Sequence, residues 1–245
     1  MPRKKKEANE ETIVEEIKEI KAIKVEEAKV EAPAKEAKKK AEKIEINKDE
    51  VKGGDNFLVP VEDYVKQGIH LGTKVMTADM KRYVYKRRAD GLVIIDTEQI
   101  DKRLRNVVSM LTQYSPKEIV IVCKREAGWK PLEKLGELTG IRVFTKKYPA
   151  GIITNSDLPN FFECSIMLVS DQWLDKNPLT DAIQMNIPVI ALCDTNNVTA
   201  SIDVIVPCNN KSNKSLGLIF YIIAKEYCKA KKIKAAIDIN DFVEE

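Results

Sequence analysis

Six short apolar runs, each rich in β-branched residues, recur between residues 91 and 208. In chain order they read GLVIID (91–96), EIVIVC (118–123), IRVFT (141–145), SIMLVS (165–170), PVIALCD (188–194) and DVIVPC (203–208). Such near-continuous hydrophobicity is typical of strands that are buried on both faces, as in a parallel sheet. Segments with a helical pattern separate most of the runs. The alternation predicts βαβ units and an α/β fold, a layered sandwich with a mostly parallel central sheet.

Four segments between and after these runs have helical periodicity. They are residues 98–114, 129–140, 178–186 and 215–232. The second segment ends at Gly140, a residue type that favours helix C-termini. The last segment is expected to bury an apolar face, formed by Leu216, Ile219, Phe220, Ile223 and Tyr227. The link between the last two strands is too short for a helix, so an antiparallel and a peripheral last strand are both compatible with the sequence.

Residues 1–55 differ in composition from the rest of the chain. They contain no aromatic residue, histidine or cysteine, and their 15 basic side chains are balanced by 15 acidic ones. So few apolar side chains do not offset the entropy of ordering, which predicts a low-complexity N-terminal extension that is disordered when free. Both a flexible arm that orders on a partner and a solvated tail fit this composition. Residues 56–245 are predicted to form the folded domain.

The strand-to-helix turns lack the motifs of common nucleotide-binding and hydrolytic enzymes. The first strand is followed by TEQIDKRL, without a glycine turn, and neither G-x-G-x-x-G nor G-x-x-x-x-G-K-[ST] occurs in the chain. No G-x-S-x-G elbow is present, and the single histidine, His70, lies between glycines. A structural role for His70 is favoured over a catalytic one. The sequence therefore predicts no enzymatic activity, no catalytic residues and no cofactor.

Three aspartates at predicted strand ends, Asp96, Asp171 and Asp194, are the candidates for a metal site. Carboxylates at strand ends can hold Mg²⁺, but aspartate is also common there as a helix cap or turn former. The five cysteines are widely spaced and form no C-x-x-C pair. We therefore predict no metal site. A nucleotide-binding α/β enzyme that uses these aspartates is the alternative function.

Three polar loops contain lysine together with other hydrogen-bond donors, namely arginine in the first, tyrosine in the first two and asparagine in the last two. They are KVMTADMKRYVYKRRADG (74–91), TKKYPAGIITN (145–155) and CNNKSNKS (208–215). Lysine and arginine neutralise phosphates, and tyrosine rings stack on bases, which favours an RNA partner even though the net charge is only +3. The candidate RNA-binding residues are Lys74, Lys81, Arg82, Tyr83, Lys86, Arg87, Arg88, Lys146, Lys147, Tyr148, Asn155, Asn209, Asn210, Lys211 and Lys214. In the third loop, Ser212, Asn213 or Ser215 is also expected to cap the last helix.

Long stretches of the chain resemble a known family. GIHLGTK, followed by MKRYVYKRRADGLVIIDTEQIDKRLR, resembles the opening of the universal small-subunit ribosomal protein two (uS-two) family. RVFTKKYPAGIITN is similar to the central loop of that family. IPVIALCDTNNVTASIDVIVPCNNKSNKSLGLIFYIIAKE is similar to its closing signature in the archaeal and eukaryotic form. The resemblance runs in order over residues 57 to about 230.

The resemblance implies an α/β sandwich with a flavodoxin-like layout and no enzymatic activity. It also implies a structural constituent of the small ribosomal subunit in the cytoplasm, with no membrane partner and no small-molecule substrate. The partners would be the subunit's ribosomal RNA and neighbouring ribosomal proteins at the junction of head and body, during translation and subunit assembly. Bacterial members carry a long helical hairpin after the central loop, but only ten residues separate Asn155 from Ile166 here, which implies an archaeal-type protein. Residues 1–55 are not part of the family pattern.

Overall fold

A computed structural model of the 245-residue chain describes residues 57–233 and 237–243. These ranges contain five α-helices, α1 Val61–Lys66, α2 Thr97–Leu111, α3 Trp129–Thr139, α4 Lys176–Gln184 and α5 Asn213–Lys231. They also contain seven strands, β1 Val84–Arg87, β2 Val93–Ile95, β3 Ile119–Cys123, β4 Arg142–Thr145, β5 Ile166–Val169, β6 Val189–Cys193 and β7 Val204–Pro207. The predicted extension, residues 1–55, lies outside the described residues, so the division of the chain at residue 56 stays a prediction.

Five of the strands form one parallel sheet with the order β4-β3-β5-β6-β7. Numbered from its own first strand, this is the 2-1-3-4-5 order of flavodoxin-like folds. The predicted α/β class, the mostly parallel sheet and the flavodoxin-like layout are confirmed. The last strand, β7, is peripheral, and it runs parallel to β6. Helix α2 packs against β7 at this edge of the sheet.

The first predicted strand, within residues 91–96, does not belong to the parallel sheet. Strand β2 instead pairs antiparallel with β1 in a separate two-stranded ribbon. Its other edge is covered by residues 70–73, because the N–H of Ile95 donates to the carbonyl of His70 over 2.8 Å. All three residues of β2 are therefore buried without a parallel neighbour. A continuous apolar run indicates that both faces of a strand are buried. It does not indicate whether the strand belongs to a parallel sheet, and β2 is buried outside that sheet.

The two faces of the parallel sheet are packed by different elements. Because side chains alternate along a strand, Ile119, Ile121 and Cys123 of β3 face one apolar cluster, and Val120 and Val122 face another. Helices α2, α3 and α5 cover the first face. Helix α4 and residues 146–162 cover the second face. The predicted burial of these strands on both faces follows from this arrangement.

Helix α5 is the central helix of the domain and is buried on almost every side along residues 215–224. Its predicted core residues are confirmed as buried, namely Leu216, Ile219, Phe220, Ile223 and Tyr227. The C-terminal segment closes over the helix, with the ring of Phe242 5.9 Å from that of Tyr221. None of the helices in the described ranges has both the length and the apolar character needed to cross a bilayer.

Gly217→Ala is expected to destabilise the domain, because a Cβ at this position of α5 would collide with the backbone carbonyl of Phe242. Overpacking of this kind lowers the free energy of unfolding by about 1–3 kcal/mol. Urea unfolding followed by circular dichroism measures the change. The control is Lys229→Ala on the exposed side of the same helix, which should stay within about 0.5 kcal/mol of the parent chain. Equal stability of the two variants would contradict close packing of the C-terminal segment on α5.

Candidate nucleic-acid interface

The carboxyl ends of the parallel strands bring five loops to one edge of the sheet. The loops begin at Lys124 after β3, Lys146 after β4, Ser170 after β5, Asp194 after β6 and Cys208 after β7. Ligands of open α/β sheets bind outside this edge. Two of the three predicted basic loops, residues 145–155 and 208–215, therefore leave the sheet where a ligand is expected.

The remaining basic loop, residues 74–91, starts beside the same edge and continues into the β1–β2 ribbon. The N–H of Thr77 donates to the carbonyl of Thr195 over 3.0 Å, and the N–H of Thr73 donates to the hydroxyl of Thr195 over 2.9 Å. Gly72 permits this close approach, because a Cβ there would collide with the Thr195 side chain. The start of the basic stretch is thus held against the loop that follows β6.

The three aspartates at strand ends are engaged inside the protein. Asp96 is the N-cap of α2, where its Oδ1 accepts a hydrogen bond from a backbone N–H of the first turn over 3.2 Å. Asp171 is ion-paired with Arg125, and Asp194 is ion-paired with Lys211 over 3.0 Å. Across the described residues no group of three or more His, Cys, Asp or Glu could hold a metal ion. The capping role is confirmed for Asp96, and ion pairs neutralise the other two carboxylates.

Asp175 ties the loop after β3 to the loop after β5. Its Oδ1 accepts from the N–H of Lys124 over 3.0 Å, and its Oδ2 accepts from the hydroxyl of Ser170 over 3.0 Å and from the N–H of Asp171 over 3.3 Å. Burial raises the pKa of Asp175 to about 6, although these hydrogen bonds favour the ionised form. The buried carboxylate therefore holds the two loops together at the edge of the sheet.

The structure places Tyr83 and Tyr148, two of the predicted RNA contacts, in buried positions. Tyr83 is 3% exposed and belongs to the core of the domain. Tyr148 is 9% exposed, packs edge-on against Phe144 and donates its hydroxyl to Asp181 over 3.3 Å. Burial, reinforced by the neighbouring Asp181 carboxylate, raises the pKa of Tyr148 well above its usual value. Neither ring offers a face to a base.

Asn209 and Asn210 have internal roles that the sequence did not predict. Asn210 is 1% exposed and donates its amide to the carbonyls of Ser170 and Leu192, which corrects its assignment to RNA. The Oδ1 of Asn209 accepts from the N–H groups that follow it, at residues 211 and 212. Ser212 is the N-cap of α5, but its side chain makes no capping hydrogen bond. The asparagine turn organises the chain there, and of the three residues predicted as caps it is Ser212 that occupies the N-cap position.

The other predicted residues lie at the surface, fully or partly exposed. They are Lys74, Lys81, Arg82, Lys86, Arg87, Arg88, Lys146, Lys147, Asn155, Lys211 and Lys214. The first six belong to the ribbon and its approach, the next three to the loop after β4, Lys211 to the turn before α5 and Lys214 to the first turn of that helix. Tyr85, next to these cations and 39% exposed, presents the outward ring of the ribbon in place of Tyr83. Its alternation with Val84 and Lys86 along β1 would have identified it, had β1 been predicted.

A cavity of about 560 Å³ opens at the sheet edge between the loops that follow β3, β4 and β5. It contains two predicted residues with exposed ammonium groups, Lys146 and Lys147. It also contains Lys124, Trp173 and Lys176, which were not predicted as RNA contacts. Lys124 directly follows the buried strand β3, and Trp173 and Lys176 lie in or at the end of the loop that follows β5, which is the signal that would have identified them.

Comparison with known proteins gives consistent similarities over the folded part of the chain. A sequence model of the family described as Ribosomal protein S2 matches residues 64–160 and 159–230. The small ribosomal subunit protein uS2 of Nanoarchaeum equitans is 45% identical over 176 residues, which cover 72% of this chain and 88% of that protein. The uS2 protein of Methanococcus maripaludis is 39% identical over 193 residues, 78% of this chain and 87% of that protein. The uS2 protein of Methanoregula boonei is 37% identical over 185 residues, 76% of this chain and 91% of that protein.

Proposed function

The chain belongs to the ribosomal protein S2 (uS2) family in its archaeal type, and from this premise we propose that it is a structural constituent of the small ribosomal subunit that binds the subunit's RNA and neighbouring ribosomal proteins. The family is structural, and the protein is not an enzyme. The protein therefore acts by being placed in an assembly and by holding RNA and protein segments in position.

The RNA-binding proposal rests on one observation at the carboxyl edge of the sheet. The acidic side chains there are paired within the protein, whereas basic side chains are exposed. Asp171 and Asp194 are neutralised internally, whereas Lys124, Lys147 and Lys176 remain exposed. The ribbon adds further exposed cations beside the same edge. Exposed ammonium and guanidinium groups suit a phosphate backbone, which lysine and arginine neutralise with release of counterions.

The alternative function, a nucleotide-binding enzyme that uses the strand-end aspartates, finds no support in these contacts. Ion pairs and a helix cap occupy the three carboxylates. The single histidine, His70, is 4% exposed and belongs to the segment that covers β2. A buried histidine of this kind suits the predicted structural role.

Sedimentation of the full-length protein through a sucrose gradient tests the proposal. We expect the protein to migrate with small ribosomal subunits of its own source organism and to be released as salt is raised. Each neutralised phosphate contributes about −0.7 to −0.9 to the slope of log K against log salt, so binding to isolated small-subunit RNA should weaken steeply. Exclusive recovery at the top of the gradient, together with RNA affinity that is flat in salt, would refute the proposal.

A further inference from the structure

The cavity at the carboxyl edge lies where the strand order of the sheet reverses. Strand β3 is the first of the parallel strands, and the chain proceeds from it to β4 on one side and to β5 on the other. The loops after these three strands diverge at this point and leave a crevice, which is the usual ligand position in a doubly wound sheet. The volume of about 560 Å³ is that of a site for one small molecule or one residue of a polymer.

The cavity wall is strongly cationic. Four exposed lysines line it, Lys124, Lys146, Lys147 and Lys176. The single acidic residue among the lining residues, Asp175, is 2% exposed, and backbone N–H groups and the Ser170 hydroxyl occupy both of its oxygens. The residues that line the cavity therefore carry four exposed cations and no exposed carboxylate, and the ligand that suits them is an anion.

The cavity is lined by one tryptophan whose side chain is not buried. Trp173 lines the cavity and is 56% exposed, although tryptophan is usually highly buried in folded proteins. Its backbone is held in a turn, since its N–H donates to Oδ1 of Asp171 over 3.0 Å. The backbone of Trp173 is thus held by the fold, and the residue is left open to solvent. An exposed ring beside several cations is the arrangement that binds single-stranded nucleic acid, because bases stack on the ring while cations hold the phosphates.

We propose that this cavity binds one unpaired nucleotide, with its base stacked on Trp173 and its flanking phosphates on Lys124, Lys147 and Lys176. The inference rests on the proposed RNA-binding function and deepens it, because it names the conformation of the RNA at one site. An acidic protein segment would also pair with the lysines, but it would leave the indole face without a planar partner. The nucleotide comes either from the subunit's RNA or from a free nucleotide, and the experiment separates these sources.

The test uses the full chain with three direct probes, a labelled single-stranded RNA pentamer, the same sequence as a duplex, and adenosine monophosphate, and with an acidic peptide as a competitor. We expect the single strand to bind more tightly than the duplex and to quench tryptophan fluorescence. Trp173→Ala should weaken single-strand binding at least about fivefold, as measured by fluorescence anisotropy of the label. Trp173→Phe should keep most of the affinity but lose the quenching. Met185→Ala, which removes another exposed apolar side chain, is the control that should change neither.

Each outcome of this test decides a separate point. Equal affinity of the parent chain and Trp173→Ala for the single strand would overturn the inference, as would stronger competition by an acidic peptide than by the RNA pentamer. Equal affinity for adenosine monophosphate and the pentamer, with quenching by both, would support the site and assign it to free nucleotides. If the parent chain sediments with small subunits while these binding tests fail, the inference alone is overturned. If quenching persists but the chain does not sediment with subunits and its affinity for small-subunit RNA is flat in salt, the proposed function fails and the nucleotide site stands.

Discussion

Simultaneous replacement of Lys74, Lys81 and Arg87 by alanine is expected to weaken binding to small-subunit RNA by about 100- to 500-fold at about 0.1 M salt, since each lost phosphate contact costs a factor of about 5–8 there. All three side chains are exposed and lie on the ribbon or its approach. The slope of log K against log salt should also become shallower by about 2–3. Filter binding or anisotropy at several salt concentrations measures both quantities.

The control for this variant removes the same charge elsewhere. Lys102→Ala/Lys117→Ala/Lys229→Ala also changes three exposed lysines, which lie on α2, before β3 and on α5. This control should keep a salt slope close to that of the parent chain. Arg87 donates hydrogen bonds to the carbonyls of Gly91 and Lys74, so thermal unfolding must confirm that the first variant is folded. A folded variant with an unchanged slope would contradict phosphate contacts at the ribbon.

Asp101→Ala is expected to lower the free energy of unfolding by about 2–4 kcal/mol, the largest loss predicted for a single side chain here. Asp101 is 5% exposed and accepts three hydrogen bonds, from the N–H of Leu58 at 2.9 Å, the hydroxyl of Tyr64 at 3.0 Å and Nε of Arg105 at 2.7 Å. The bonds from Leu58 and Tyr64 attach α1 and the preceding residues to α2, and Arg105 lies on α2 itself. Alanine would leave the Tyr64 hydroxyl without this acceptor in the core, which is costly.

The matched control for Asp101 is Tyr64→Phe. This change removes one donor but leaves the other two hydrogen bonds of Asp101, so the loss should be about 1 kcal/mol. Burial and the Asp101 carboxylate raise the pKa of Tyr64 far above its usual value, so the tyrosine stays a neutral donor across the working pH range. Urea unfolding gives both free energies, and hydrogen exchange at residues 61–66 reports detachment of α1. A loss below about 1 kcal/mol for Asp101→Ala would contradict this role.

The sequence by itself determined the class of the fold and most of its elements. Five of the six apolar runs are strands of the parallel sheet, because burial on both faces requires apolar side chains at consecutive positions. The four helical segments are present, and α3 ends at Gly140, whose φ of +72° suits a residue without a Cβ. These features depend on interactions between residues close in sequence and on how many faces of each strand or helix are buried. Both are visible in the order of apolar and polar residues along a short segment.

The tertiary structure alone decided which side chains of the basic loops face solvent. Tyr83 and Tyr85 differ by two positions and look equivalent in the sequence, but the first belongs to the core and the second is exposed. Their environments depend on the course of the short 3₁₀ helix Met80–Tyr83 into β1. Asn210 likewise resembles a surface donor, yet two carbonyls from neighbouring strands or their ends receive its amide. The composition of a loop determines which chemical groups it contains. The path of the backbone determines which of its side chains face solvent and which face the core.

The cavity is also a product of tertiary structure. Lys124, Lys146 and Trp173 come from three loops far apart in the chain, and they meet because β4, β3 and β5 are neighbours in the sheet. The sequence indicates that each loop follows the carboxyl end of a strand. The alternation of strands and helices in the sequence is, however, compatible with many strand orders. Strand order is set by the packing of helices on both faces and by long-range pairing, which no local segment encodes. The sequence therefore determined what these loops offer chemically, and the order of the strands decided which of them act together.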